Sequence, residues 1–165
     1  MAETSALTAD ELKEFLESQQ EGTPPTAEQI NRFNVTIIED FRAHNGTVTI
    51  PPFAGGPIVL LHHKGAKSGK ERVAPLAYDR DGDDVIIIAS KGGAPENPAW
   101  YHNLLANPDT TIELGPDTWD VRAEALTEGP ERDRLYQAMA DKMPNFHEYQ
   151  KNTDRIIPVV RLRRR

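Results

Sequence analysis

The stretch Thr118-Trp119-Asp120-Val121-Arg122-Ala123-Glu124-Ala125-Leu126 alternates polar and apolar side chains residue by residue. Because successive side chains of a strand point to opposite faces of a sheet, it predicts a strand with one buried and one solvated face. The surrounding sequence predicts six further strands, at residues 47–50, 58–64, 71–79, 84–90, 110–114 and 157–162. One helix is predicted from an N-cap at Asn97, with Pro98 in its first turn, to Asn107, and another from near Gly129. Short antiparallel strands with inserted helices favour a barrel over a parallel sheet.

Two helices are predicted before the strands. Each begins with a capping box, which is typical of a helix N-terminus: Thr8 with Glu11, and Thr26 with Gln29. Breaker residues end the two helices at Gly22-Thr23-Pro24-Pro25 and at Asn45-Gly46. We expect the second helix to pack on the barrel. The expected organisation is an N-terminal helical extension, residues 1–25, and a barrel domain, residues 26–165.

Composition narrows the class of partner. The chain has 165 residues and a net charge of −7, and residues 1–45 carry nine acids against three bases. Phosphate binding over a nucleic acid needs a broad excess of Lys and Arg, so nucleic acid is not expected as a partner. The chain has no cysteine, which excludes disulfides and thiolate metal sites. Residues 1–10 lack the pattern of a signal peptide, so a cytoplasmic protein is expected.

The strongest local signal for binding is Lys64-Gly65-Ala66-Lys67-Ser68-Gly69-Lys70-Glu71-Arg72. Four cations and one acid flank a glycine-bearing turn, where backbone N–H groups and a hydroxyl are available for phosphate or carboxylate groups. The alternative is a charged turn that is only solvated. The Gly-x-x-x-x-Gly-Lys-Ser/Thr order of a nucleotide-binding P-loop is absent.

A second glycine-rich segment, Ala89-Ser90-Lys91-Gly92-Gly93-Ala94-Pro95, follows the most apolar strand and precedes the Asn97 helix. Glycines permit a flat ring to approach the backbone, although such loops are commonly simple turns. Trp100 follows on the helix and, with Leu104, is equally typical of a core stripe. His62 and His63 are adjacent on a strand and point to opposite faces, so no metal site is predicted.

Taken together, these segments resemble the deazaflavin-dependent nitroreductase family over residues 31–163. The motifs that carry the resemblance occur in the family's order: Gly56-Pro57, Gly65-x-Lys67-Ser68-Gly69-x-x-Arg72-x-x-Pro75-Leu76, Ala89-Ser90-Lys91-Gly92-Gly93-Ala94-Pro95, Asn97-Pro98-x-Trp100-Tyr101-x-Asn103-Leu104-x-Ala106-Asn107-Pro108 and Asp154-Arg155-x-Ile157-Pro158-Val159-Val160. Several motifs in fixed order are more specific than any one of them alone.

The resemblance implies an α+β, mainly antiparallel split β-barrel of the flavin-binding, pyridoxamine-phosphate-oxidase-like type, holding coenzyme F420. By that resemblance, the phosphate and oligoglutamate tail is bound by Lys64, Lys67, Ser68, Gly69 and Arg72. The deazaflavin ring and its pocket are lined by Pro75, Ala89, Ser90, Lys91, Gly92, Gly93, Ala94, Trp100 and Asn103. The family often has Arg where this chain has Ala66, so one tail contact is missing.

The function implied is hydride transfer from reduced F420 to a small organic acceptor such as a quinone, an enone or a nitroaromatic compound. Ser90 and Tyr149 are the candidate catalytic residues, Ser90 as a hydrogen-bond donor and Tyr149 as a proton donor. A hydroxyl merely satisfied on a pocket rim is the alternative for Tyr149. Phe146 stands where related nitroreductases have tyrosine, and it cannot donate a proton.

Two other functions stay open on the same fold, a non-catalytic F420 carrier and an FMN-dependent reductase. Homodimerisation is an alternative to a monomer, because split barrels of this kind often dimerise. Peripheral association with the inner face of the plasma membrane is a further alternative, since four arginines form a basic C-terminal tail: Arg161, Arg163, Arg164 and Arg165. A solvated chain end is the simpler interpretation of that tail.

Overall fold

The computed structural model describes residues 4–165, which leaves Glu3 of the acidic N-terminal segment outside the described residues. The chain divides into two compact units, Met1–Ile58 and Val59–Arg165. The boundary expected between residues 25 and 26 stays a prediction, as does the packing of the second helix on the barrel. None of the helices within residues 4–165 has both the length and the apolar character that a membrane crossing requires.

The first unit is built on two helices, α1 (Ala9–Gln20) and α2 (Ala27–Ala43). Both predicted capping boxes are confirmed. The guanidinium of Arg32 on α2 donates to both carboxylate oxygens of Glu11 on α1, at 2.7 and 2.9 Å. This contact lowers the pKa of Glu11 to about 2. Phe15 stacks on Phe33 with ring centroids 4.7 Å apart, so polar and apolar contacts join the same two helices.

The strand predicted at residues 47–50 is wrong, because that segment has no ladder partner among the described residues. The backbone N–H and hydroxyl of Thr49 donate instead to the carboxylate of Asp40, at 2.6 and 2.8 Å. Asp40, near the end of α2, thus accepts the hydrogen bond from the amide that Thr49 would use to pair with a neighbouring strand. Pro51-Pro52 then removes two further donors.

The second unit contains an antiparallel sheet of seven strands with inserted helices. The strands are β1 (Ile58–Lys64), β2 (Glu71–Ala77), β3 (Asp79–Asp81), β4 (Asp84–Ile88), β5 (Asp109–Leu114), β6 (Asp117–Leu126) and β7 (Val159–Arg164). The helices are α3 (Ala99–Ala106), α4 (Pro130–Lys142) and α5 (Asn145–Lys151). The order across the sheet is β2-β1-β5-β6-β7-β4-β3.

Strands β2 and β3 lie at opposite edges of this sheet although only Tyr78 separates them in the chain. One nearly continuous ribbon therefore forms both edges, which requires the sheet to curl into a barrel. The interior is filled by alternate side chains from both halves of the sheet, including Val59, Leu61, Ile87, Ile112 and Leu162. The predicted α+β split β-barrel is confirmed.

Helices α4 and α5 cover the other face of β4 and β7 with a second apolar cluster. Ile86 and Ile88 of β4 point into this cluster, opposite to the barrel-facing Ile87, as the two-residue period requires. Leu135 and Met139 of α4 and Phe146 of α5 complete it. Helix α5 was not predicted from the sequence, because it is short and its N-cap, Pro144, makes no side-chain cap.

The basic C-terminal tail is not formed, because the last strand is longer than predicted. Arg163 and Arg164 belong to β7, and Arg165 donates to the Val121 carbonyl oxygen at 3.0 Å. Arg161 is 7% exposed, and its guanidinium lies within 4 Å of four carboxylates: Asp81, Asp84, Glu124 and Glu131. These arginines therefore contribute to the sheet and its ion pairs rather than to a free basic segment.

Candidate functional site

The segment that joins β1 to β2, residues 64–72, forms a tight bend that we call the cationic turn. The Gly65 N–H donates to the Lys70 carbonyl oxygen, and the Gly69 N–H donates to the Gly65 carbonyl oxygen, both at 2.9 Å. Gly69 has φ +69°, which an L side chain adopts only with strain. A Cβ on Gly65 would lie 2.3 Å from the Ser68 hydroxyl oxygen, so a side chain at position 65 would displace that hydroxyl.

Several hydrogen-bond donors of the turn have no partner in the described part of the protein. Within residues 4–165, the amide N–H groups of Lys67 and Ser68 donate to no protein atom. The hydroxyl oxygen of Ser68 accepts from the Lys70 N–H at 3.2 Å, which leaves the hydroxyl hydrogen available. Adjacent free N–H groups in a bend form an anion-binding concavity.

The side-chain charges of the turn are equally free. Lys64, Lys67, Lys70 and Arg72 are exposed, and none of them forms an ion pair with a carboxylate of residues 4–165. The other three lysines of the second unit are all paired: Lys91 with Glu96, Lys142 with Asp79, and Lys151 with Glu148. The turn therefore concentrates positive charge that the described protein does not neutralise.

A single buried side chain holds the turn against α3. The Asn103 amide oxygen accepts from the Ala66 N–H at 2.9 Å, and its amide nitrogen lies 2.9 Å from His63 Nδ1. Because the oxygen must face the Ala66 N–H, the Asn103 nitrogen donates to His63. His63 Nδ1 is consequently an unprotonated acceptor, and the imidazole is neutral.

The electrostatic environment favours that neutral form of His63. Burial, together with the positive charge of Arg72, lowers the pKa of His63 to about 4. His62, the preceding residue, points the other way and places Nε2 2.8 Å from the Glu113 carboxylate. The two adjacent histidines are thus on opposite faces, as predicted, and only His63 supports the turn.

The second candidate segment, residues 89–97, follows β4 and is called the 89–97 loop. Strand β4 ends two residues earlier than predicted, at Ile88, although the Ala89 N–H still donates to the Pro158 carbonyl oxygen at 3.0 Å. Gly92 has φ +65° and no atom within 4 Å of an added Cβ, so its backbone is open to a ligand. Gly93 has φ +86°, and an added Cβ would lie 2.7 Å from the Tyr149 carbonyl oxygen.

Arg155 donates four hydrogen bonds to the 89–97 loop. Its Nε donates to the Ala94 carbonyl oxygen at 2.8 Å, and its Nη2 donates to the carbonyl oxygens of Ala89 and Ser90 at 3.2 and 2.9 Å. Its Nη1 donates to the Asn97 side-chain oxygen at 2.7 Å. The prediction that Asn97 caps α3 is therefore wrong: Pro98 is the N-cap, and the Asn97 oxygen is used by Arg155.

The two candidate catalytic hydroxyls lie beside this loop. Ser90 is 9% exposed, and within residues 4–165 its hydroxyl makes no hydrogen bond. The hydroxyl of Tyr149, on α5, is likewise without a protein partner among the described residues, while its ring packs edge-on against Phe146 at 5.3 Å. The backbone of Tyr149 touches Gly93, so the helix that carries one hydroxyl contacts the loop that carries the other.

Three predicted site residues are already occupied by protein contacts. Lys91 has its ammonium 2.8 Å from the Glu96 carboxylate. Trp100 is 8% exposed and belongs to the barrel core, which matches the alternative of a core stripe. Asn103 uses its amide on Ala66 and His63. Pro75 lies in the edge strand β2, where a missing N–H is tolerated.

Helix α3 connects the two segments. It begins immediately after the 89–97 loop and carries Asn103, which binds the cationic turn. The structure thus links the segments that the sequence singled out separately. The supporting roles of His63 and Arg155 were missed; Arg155 lies inside a quoted motif, but nothing in the local sequence shows which carbonyl groups it meets.

Residues 31–163 match the family model described as F420H(2)-dependent quinone reductase. The chain belongs to this family. An F420H(2)-dependent quinone reductase of Mycobacterium tuberculosis is 43% identical over 127 residues, which cover 76% of this chain and 85% of the relative. Membership of the F420H(2)-dependent quinone reductase family makes the chain an oxidoreductase with coenzyme F420 as its cofactor.

Two solved structures are similar to this chain, and the description of one of them names an F420-dependent reductase. A structure described as an F420-H2 dependent reductase is 41% identical, with a TM-score of 0.59, and covers 64% of this chain and 93% of its own. A second structure, described as a domain-swapped dimer, is 32% identical with a TM-score of 0.61 and covers 91% of this chain and 98% of its own.

The residues present fit F420 by their chemistry. A phosphate and glutamate tail is polyanionic, and the cationic turn offers unpaired lysines, Arg72 and two free amide N–H groups. A flat ring needs an open backbone, which Gly92 provides. By contrast, a groove of about 520 Å³ in the first unit is lined by Glu11, Glu14 and Glu28, and these carboxylates would repel such a tail.

Proposed function

We propose that the chain reduces a quinone-class acceptor at the 89–97 loop while the cationic turn binds the F420 tail. When bound, reduced F420 supplies a hydride from the central ring of its deazaflavin. The observation that carries the proposal is the unpaired state of Lys64, Lys67 and Lys70 within the described residues, because the other lysines of the unit all have carboxylate partners.

The turn is proposed to bind the tail through charge and backbone together. Lys67 and Arg72 supply cations for phosphate and carboxylate oxygens, and the N–H groups of Lys67 and Ser68 supply directional hydrogen bonds. Asn103 is proposed to act indirectly, since its amide is fully used in holding Ala66 and His63. Lys91 contributes only if it exchanges its contact with Glu96.

Protonation of the acceptor is proposed to involve the two free hydroxyls. A quinone that receives a hydride also takes up a proton, and a positioned hydroxyl delivers it. Tyr149 is the candidate donor, and Ser90 is the candidate hydrogen-bond donor to the acceptor oxygen. Both hydroxyls lack protein partners within residues 4–165, which keeps their hydrogens available.

A test of the function uses the purified protein with F420 and FMN in separate titrations. We expect binding of F420 and little or none of FMN. Loss of reduced-F420 absorbance is then followed with menadione and with cyclohexenone, and we expect turnover above the rate of the free cofactor. Binding without any accelerated oxidation would contradict the reductase proposal.

Binding of F420 without accelerated oxidation would instead support a carrier function. One observation favours that function. Phe146 is a buried, apolar side chain at a position where related nitroreductases have tyrosine. The stretch 143–149 therefore contains one phenol, that of Tyr149. Nitroaromatic reduction is therefore proposed to be slower than quinone reduction.

A homodimer is also proposed. It is supported by the domain-swapped relative, and sedimentation at several protein concentrations tests it.

A further inference from the structure

We infer that Arg155 is the positioning residue that gives the 89–97 loop its ring-binding shape. This inference rests on the proposed function, because it assigns a cause to the geometry of the proposed ring site. Arg155 touches three backbone carbonyl groups and one side-chain oxygen of the loop, all within 3.2 Å. No other described side chain donates as many hydrogen bonds to this loop.

The loop needs such a support because its own hydrogen bonds are few. Within the loop, the Gly93 N–H donates to the Ser90 carbonyl oxygen and the Ala94 N–H donates to the Lys91 carbonyl oxygen. Lys91 has φ +46°, and two glycines have positive φ, so the backbone is in conformations that few residues favour. External contacts must therefore hold this shape.

A guanidinium is the group that suits this task. Its donors lie in one plane and diverge, so one side chain reaches acceptors on Ala89, Ala94 and Asn97 simultaneously. A lysine ammonium is a point charge and cannot span the same acceptors. Arg155 forms no ion pair with the acids of residues 4–165, so its contacts go to the loop rather than to a carboxylate.

The same contacts turn the Ala89 and Ser90 carbonyl groups toward Arg155 and away from the other side of the loop. Released from Arg155, these carbonyl groups are free to rotate, and the Ser90 hydroxyl moves with its backbone. The consequence is specific to the ring: a bound deazaflavin meets a different surface, whereas the cationic turn, which Asn103 holds, is unaffected.

The test compares F420 with the same deazaflavin lacking its phosphate and glutamate tail, using dissociation constants measured by fluorescence titration. We expect Arg155→Lys to weaken binding of both ligands by a similar factor, at least about tenfold. Lys67→Ala should weaken binding of F420 only. Arg161→Lys is the matched control: it alters an arginine with several protein partners that contacts neither segment, and both dissociation constants should stay within about twofold of wild type.

Two further measurements keep the outcome clear if Arg155→Lys folds poorly. Asn97→Ala removes one of the four contacts and should weaken both ligands by a few-fold with the fold intact. Added methylguanidinium should partly restore ligand binding to Arg155→Ala, which general destabilisation would not allow. Unchanged binding of both ligands by Arg155→Lys would overturn this inference alone, whereas a wild-type protein that binds neither ligand would overturn the proposed function as well.

Discussion

The cationic turn and the 89–97 loop lie at the two ends of α3, and they are supported in contrasting ways. The turn is attached through one buried amide, Asn103, and its charged side chains extend into solvent without protein partners in the described chain. The loop is attached through four hydrogen bonds from Arg155 and through backbone packing of Gly93 on Tyr149.

This contrast fits the two kinds of recognition that we propose for the two segments. An anionic tail can be bound by long side chains that adjust to it, so the turn needs only a fixed position and a surplus of charge. A flat ring is bound by the backbone, so the loop must have a fixed shape. Substitutions in the loop should therefore affect folding and binding together, and substitutions in the turn should affect mainly binding.

The largest effect is expected at Gly93, where the loop packs against α5. Gly93→Ala adds a Cβ 2.7 Å from the Tyr149 carbonyl oxygen at φ +86°, and we expect the free energy of unfolding to fall by about 3 kcal/mol or more. Gly92→Ala is the matched control, since it also has positive φ but open space, and should cost about 1 kcal/mol. Urea unfolding measures both; equal losses would show that the packing on Tyr149 is unimportant.

The next largest effect is a loss of folding stability in acid that depends on His63, which contacts Asn103 beside the cationic turn. The pKa of His63 is about 4 in the folded protein, below its ordinary value of 6.5, so below pH 6.5 the unfolded chain binds a proton that the folded chain does not. The stabilising contribution is present above pH 6.5 and is lost as pH falls toward 4, by at most about 3 kcal/mol. His63→Gln should flatten the pH dependence of the unfolding free energy in that window. A flat wild-type profile would contradict the neutral-imidazole assignment.

A smaller effect is expected for the amide that attaches the turn. Asn103→Ala leaves the Ala66 N–H and His63 Nδ1 without their partner, which should cost about 2 kcal/mol of stability and weaken F420 binding. Asn107→Ala, near the end of the same helix, loses only a 3.5 Å contact to the Lys64 carbonyl oxygen and should change stability by less than about 0.5 kcal/mol. Thermal unfolding and F420 titration distinguish the two; unaltered binding in Asn103→Ala would show that the turn does not depend on this support.

The smallest effect on stability, with a clear effect on binding, is expected for the exposed cations. Lys67→Ala should leave thermal unfolding unchanged and weaken F420 binding by roughly five- to tenfold, more at low salt and for longer glutamate tails. Lys142→Ala removes a lysine that is paired with Asp79 outside both segments and serves as the control. Isothermal titration at two salt concentrations checks this; equal affinity for all tail lengths would contradict a tail-binding role.

The sequence indicated the barrel and both candidate segments because their signals are local. Alternation over residues 118–126 corresponds directly to β6, and the glycines and cations of residues 64–72 mark the turn. It did not indicate that Asp40 removes the strand expected at residues 47–50, or that Asn97 accepts from Arg155 rather than capping α3. These outcomes depend on side-chain contacts between residues 9 and 58 positions apart in the chain, which no local pattern records.

The ribbon of β2 and β3 has a geometric consequence. One of its ends continues from the cationic turn, and the other pairs with β4, which leads into the 89–97 loop. Between the proposed tail site and the proposed ring site, the ribbon thus contributes a fixed number of peptide units. Lengthening the ribbon by two residues would preserve the alternation of its faces and displace one proposed site from the other, which would favour a ligand of different length.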